Sequence, residues 1–139
     1  MPIMTKSLAA ALAVTDLAFL AYWAATGLSA LGVITLPAWL LFAGYHEPRV
    51  VAWNWSFLPL DVAFSVSGLA AVSAARAGRP VWRPLALISL LLTMVAGGMA
   101  VAYWSILGEF DPAWFLPNLV LLVWPAPFLP GLLRALSRS

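Results

Sequence analysis

Few residues in this sequence have side chains able to do chemistry, and two carboxylates lead them. Asp16 and Asp61 each lie inside a long apolar run. An ionisable group in a segment fit for hydrocarbon is costly to keep, so it marks a function unless a structural partner accounts for it. Asp61 belongs to the stretch RVVAWNWSFLPLDVAFSVSG, residues 49–68, which also carries Asn54, Pro59 and Ser65. On a helix, Asn54, Asp61, Ser65 and Gly68 recur at steps of seven, four and three residues and share one face. Such a face either lines a polar cavity or bonds to a neighbouring helix. A second face carries Ala63, Ser67, Ala71 and Ala75 at four-residue steps, a ridge where another helix is expected to approach closely.

Depth makes the two acids notable. Asp61 falls roughly 20 Å along its helix and Asp16 roughly 15 Å from the opposite end, at 1.5 Å per residue. No lysine or arginine lies at that depth. A hairpin would bring the two together, where a shared proton is expected. The alternative is a carboxyl that only makes a structural hydrogen bond. Pro59 has no N–H to offer the carbonyl of Trp55, so that oxygen is expected to stand free near Asp61. Exposed backbone acceptors beside a carboxylate suit a cation or an amine, whereas a simple packing kink would use the proline alone. Asn118, just after Pro117, sits at a depth similar to Asn54. Trp53, Trp55, Tyr103, Trp104 and Trp114 then form an aromatic mouth, or else anchors at a membrane interface. The candidate ligand- or proton-binding residues are therefore Asp16, Asp61, Asn54, Trp55 and Asn118, with Trp53, Tyr103, Trp104 and Trp114 around them.

The elements that must position these residues follow from composition. The chain of 139 residues is 64% hydrophobic and 9% charged, far from the about 45–50% and 25% of soluble domains. At about 20 apolar residues per crossing, four spans are expected, over residues 8–31, 48–75, 84–107 and 112–133. Together they make a single all-α domain, a bundle of four transmembrane helices. The acid inside the first run, and the length of that run, argue against a cleaved leader. Pro37 is expected to end the first helix, and PAWLLFAGY is too short to cross, suiting an interface-lying piece. Glu47-Pro48 and Asp111-Pro112 read as capping acids with a first-turn proline. Pro117, Pro125, Pro127 and Pro130 imply kinks or a break near Trp124. Ser89 and Thr93 are expected to bond back to their own helix. Gly97-Gly98 reads as a packing notch.

Under that topology Lys6, Arg76, Arg79, Arg83, Arg134 and Arg138 fall at one end. Only Arg49 falls at the other, with Glu47, Glu109 and Asp111. This asymmetry places both termini on the cytoplasmic side of the cell membrane. The net charge of +2 without a basic cluster gives no nucleic-acid surface. With no cysteine and one histidine there is no thiolate or transition-metal site. Neither a phosphate-binding glycine loop nor a nucleophile–base pair is present, so no cofactor and no catalytic residue is assigned.

At AWNWSFLPLD, residues 52–61, the sequence resembles the YvaD-like family of small four-span bacterial membrane proteins of unknown function. The resemblance extends over most of the chain, through Asp16, WRPLALISLLLT (82–93) and FLPNLVLLVWP (115–125). The chain is more distantly similar to the emopamil-binding (EXPERA) superfamily of four- or five-span bundles. That likeness implies a pocket for sterols or lipophilic amines, with Asp16, Asp61 and Asn118 in comparable places. Its isomerase branch relies on a pocket histidine, whereas the lone His46 here falls in the outer loop.

The readings, in order, begin with an intramembrane pocket around Asp16 and Asp61 that binds a lipophilic amine or isoprenoid-like lipid. Next come a proton-coupled exporter acting as a homodimer, an accessory membrane subunit without ligand, and a lipid isomerase. The expected partners are the bilayer and a lipophilic small molecule.

Overall fold

The computed structural model describes residues 3–138, and among them every regular element is helical. Four helical stretches are long and apolar enough to cross a membrane: Lys6–Ala30, Pro48–Arg76, Trp82–Leu107 and Pro112–Ser137.

The first is one helix, α1 (Lys6–Ala30), capped by Thr5, whose Oγ1 accepts the Leu8 N–H at 3.3 Å. It ends well before Pro37. The Gly32 backbone turns left-handed at φ 74°, and the Val33 N–H closes on the Leu28 carbonyl at 2.9 Å. Glycine stops the helix because it enters this conformation without a Cβ clash. The following segment holds only a short 3-10 turn, Ala38–Leu40.

The second stretch is broken in two. Helices α2 (Pro48–Ser56) and α3 (Leu58–Arg76) meet at Phe57, and Pro59 sits in the first turn of α3. The Phe57 N–H closes α2 on the Asn54 carbonyl at 3.2 Å, just ahead of the proline. Glu47 occupies the cap position of α2, yet its side chain makes no capping hydrogen bond. Asp111 does cap, accepting the Ala113 N–H at 3.0 Å.

Helix α4 (Trp82–Leu107) is unbroken and ends at Gly108, also left-handed. The last stretch comprises α5 (Pro112–Val123), a 3-10 turn Ala126–Phe128 and α6 (Leu129–Ser137), with the break at Trp124-Pro125.

Helices α3 and α4 form the central pair, with α1 packed along α3 and α5 along α4. Two glycines permit the closest approaches. At Gly97 an added Cβ would lie 2.5 Å from the Asn118 carbonyl oxygen, so α5 rests directly on the α4 backbone. At Gly68 a Cβ would overlap the Asp16 carboxylate, so α1 is seated there. The buried face of α3 is thus Asp61, Phe64, Ser65, Gly68, Ala71 and Val72. Of the ridge Ala63, Ser67, Ala71 and Ala75, the end with Ala71 and Ala75 packs in the core, whereas Ala63 is exposed. Helices α1 and α5 do not pack closely on one another, and this leaves a cleft between them.

Candidate functional site

The cleft between α1 and α5 holds a cavity of about 730 Å³, within the size range that encloses a drug-sized ligand. Its walls are mostly apolar and aromatic. From α1 come Phe19, Tyr22 and Trp23, from the α2–α3 stretch Trp53 and Phe57, from α4 Trp104, and from α5 Trp114 and Leu121. Leu36, Trp39, Leu40 and Phe42, from the segment after α1, cover one end. Trp114 ties that cover to α5 by donating its Nε1–H to the Leu41 carbonyl at 3.0 Å.

Polar groups gather in one part of this wall. Asp61 is buried, and its Oδ2 accepts the Trp23 Nε1–H at 2.9 Å, while its Oδ1 has no partner. The Oδ1 of Asn54 accepts the Tyr22 hydroxyl at 3.2 Å, and the Asn54 amide nitrogen is left without an acceptor. Both residues line the cavity, and each keeps one sealed polar atom without a partner. Buried polar atoms are ordinarily satisfied, so two sealed atoms without partners in one wall are unusual.

The polar stripe expected on one helix face divides in two. Asn54 and Asp61 line the cavity, but Ser65 and Gly68 turn toward the packed interior. Asp16 follows them. It is fully buried, both oxygens lack hydrogen-bond partners, and it lies against Gly68, beside Ser89 of α4. Asp16 and Asp61 are therefore not a proton-sharing pair. One faces Gly68 and the other Trp23, two helical turns or roughly 10 Å apart along the α1–α3 seam. Ser65 Oγ is likewise buried without a partner. Thr93 bonds back to the Ser89 carbonyl at 2.7 Å, as expected, but Ser89 itself reaches across to the Phe64 carbonyl of α3 at 2.8 Å.

Of the remaining candidates, Asn118 lines the cavity, with its amide donating to the Trp114 carbonyl one turn earlier at 2.7 Å. Trp53, Trp104 and Trp114 contribute walls. Trp55 and Tyr103 stand behind them: Trp55 packs on Trp23, and Tyr103 stacks on Trp53 with ring centroids 3.9 Å apart. Exposed His46 packs on Tyr45, away from the cavity. Tyr22 and Trp23, which hold Asn54 and Asp61, are the residues that sequence reasoning passed over. Their signal was spacing, because Trp23 follows Asp16 by seven residues and so lies on the same face of α1.

Comparison with known proteins places the chain. Residues 8–139 match the model of a family of unknown function, DUF5360, and the chain belongs to that family. It is 40% identical over 126 residues to the uncharacterized protein YvaD of Bacillus subtilis (strain 168), covering 91% of each chain. No solved structure matches it.

Proposed function

We propose that this member of the DUF5360 family is an integral membrane protein whose cavity binds a lipophilic amine, its cationic head against Asp61. Support for the membrane setting is the inverted distribution of side chains. Asp16, Asn54, Asp61, Ser65, Ser89 and Thr93 are buried, while Val14, Leu17, Val66, Ile88, Leu91 and Val95 point outward. A bundle in water needs the opposite arrangement, but apolar outward faces suit lipid. Six of the seven cationic side chains fall at the end where the chain begins and finishes, which supports cytoplasmic termini in the cell membrane.

The observation that carries the ligand reading is Asp61 Oδ1, buried without a donor in a residue that lines an aromatic cavity. A carboxylate oxygen without a donor attracts a cationic N–H, and the surrounding tryptophan and phenylalanine faces suit the apolar body and the charge near it. The unfilled Asn54 amide selects among such ligands for one with an acceptor close to the amine.

Thermal unfolding of the detergent-purified protein with dodecylamine, dodecanol or laurate tests this. The amine raises the melting temperature, the neutral and anionic chains do not, and Asp61→Asn abolishes the difference. A charge-assisted hydrogen bond of about 1.5–3 kcal/mol corresponds to an affinity loss of roughly ten- to a hundredfold. No response of the wild type to dodecylamine sinks the reading.

A further inference from the structure

The opposite end of the molecule presents the converse problem, a buried cation without an anion. Arg83 opens α4 and is only 8% exposed, and its Nε is sealed without an acceptor. Its guanidinium lies against the neighbouring Trp82 ring, 5.8 Å from the centroid. It forms no ion pair with any described residue. The reason is plain in the sequence: the five acids are Asp16, Glu47, Asp61, Glu109 and Asp111, and none lies at this end. The other cations here are Lys6, Arg76, Arg79, Arg134 and Arg138. Arg134 turns its Nε–H onto its own helix, to the Pro130 carbonyl at 3.1 Å.

The surroundings are apolar. Trp82 packs in one cluster with Met4, Leu8 and Leu132, so the starts of α1 and α4 and the helix α6 converge beside Arg83. Trp124, against the same cluster, also has a buried indole N–H with no acceptor. A buried arginine whose Nε has no acceptor and which meets no carboxylate is costly unless an outside anion completes it. Its fork of N–H donors matches the oxygens of a phosphate, which a point charge such as lysine matches less well. The anion must also tolerate apolar neighbours on three helices, and a free phosphate in water gains nothing from them.

We propose that Arg83 is the head-group site for an anionic phospholipid. The phosphodiester lies on the guanidinium, and the acyl chains run along the apolar outer faces of the adjoining helices. This site is separate from the cavity at Asp61 and rests only on the membrane setting, not on the amine reading.

The test uses the full chain in a neutral detergent, read by native mass spectrometry and thermal unfolding with added phosphatidylglycerol, phosphatidylcholine or inorganic phosphate. Phosphatidylglycerol is expected to remain bound and to raise the melting temperature. Phosphatidylcholine binds about ten- to a hundredfold more weakly, the span of one charge-assisted contact. Arg83→Gln loses this preference, Arg83→Lys keeps part of it, and the exposed pair Arg76→Gln/Arg79→Gln retains most of it. Should Arg83→Gln not fold, the lysine variant and the exposed pair still decide. Equal binding of the two lipids by the wild type overturns the proposal. So does an exposed-pair variant that loses as much as the Arg83 variants, which would show diffuse attraction. Inorganic phosphate reproducing the whole shift overturns the lipid as occupant.

Discussion

Asp16 and Asp61 have the same chemistry and similar depth in their apolar runs, yet they occupy unlike places. Asp61 stands on a cavity wall, with one oxygen fixed by Trp23 and the other sealed without a partner. Asp16 is shut between α1, α3 and α4 against a glycine, with no donor to either oxygen. The difference shows that depth along a helix states how costly a carboxylate is, whereas the neighbour it meets decides what it can do. Of the two, Asp61 is the one that lines the cavity.

The comparison breaks most violently at Gly68. Gly68→Ala places a methyl on the Asp16 carboxylate and within 2.7 Å of Ser89 Oγ, so α1 must move off α3. Over-packing of this kind costs about 1–3 kcal/mol or more, so a large fall in melting temperature is expected. Pairing it with Asp16→Ala should recover much of the loss, because the overlapping group is removed. If Gly68→Ala alone unfolds like wild type, the seat of α1 is misplaced.

Exchanging the acids one at a time sharpens the contrast. Asp61→Asn should weaken dodecylamine binding as given above. Asp16→Asn, which keeps the shape, should leave that affinity within about twofold, since its site is two turns away and shares no partner. Equal losses in an amine titration of both variants would mean that the carboxylates act as one unit after all.

The smallest effect belongs to the cover of the cavity. Trp114→Phe deletes the bond to the Leu41 carbonyl but keeps most of the aromatic wall. About 0.5–1.5 kcal/mol of stability is expected to go with it. Stopped-flow fluorescence should show ligand leaving faster, with the preference for amine over alcohol unchanged. A lost preference would assign Trp114 to head-group recognition instead.

Much of the architecture is legible in the residues. Uninterrupted apolar runs mark the four long helices, Pro59 marks the division at Phe57, and Pro125 marks the break after α5. Asn54 and Asp61 stand out because polar groups are rare at that depth. What could not be read was register. Whether Asp16 meets Asp61 or Gly68 depends on how far α1 slides along α3, and a slide of two turns leaves the sequence pattern of either helix unchanged. The same holds for Ser89, whose hydroxyl has a local carbonyl available but bonds to α3. Tyr22 and Trp23 were hidden for another reason. In an aromatic-rich apolar helix, a hydroxyl or indole N–H gives no sign of which acceptor it serves. The stop at Gly32 was overshadowed by Pro37, although glycine is the more frequent helix terminator.

Helices α1 and α5 lean on the central pair, and across the cleft they meet through the Tyr22 and Trp114 rings, edge to face with centroids 6.0 Å apart. That ring contact is a strut between two helices whose backbones stand apart. Tyr22 and Trp23 also tie α1 to the α2–α3 stretch, at Asn54 and Asp61. The bonds that fix the polar corner of the wall are therefore the same bonds that brace the cleft.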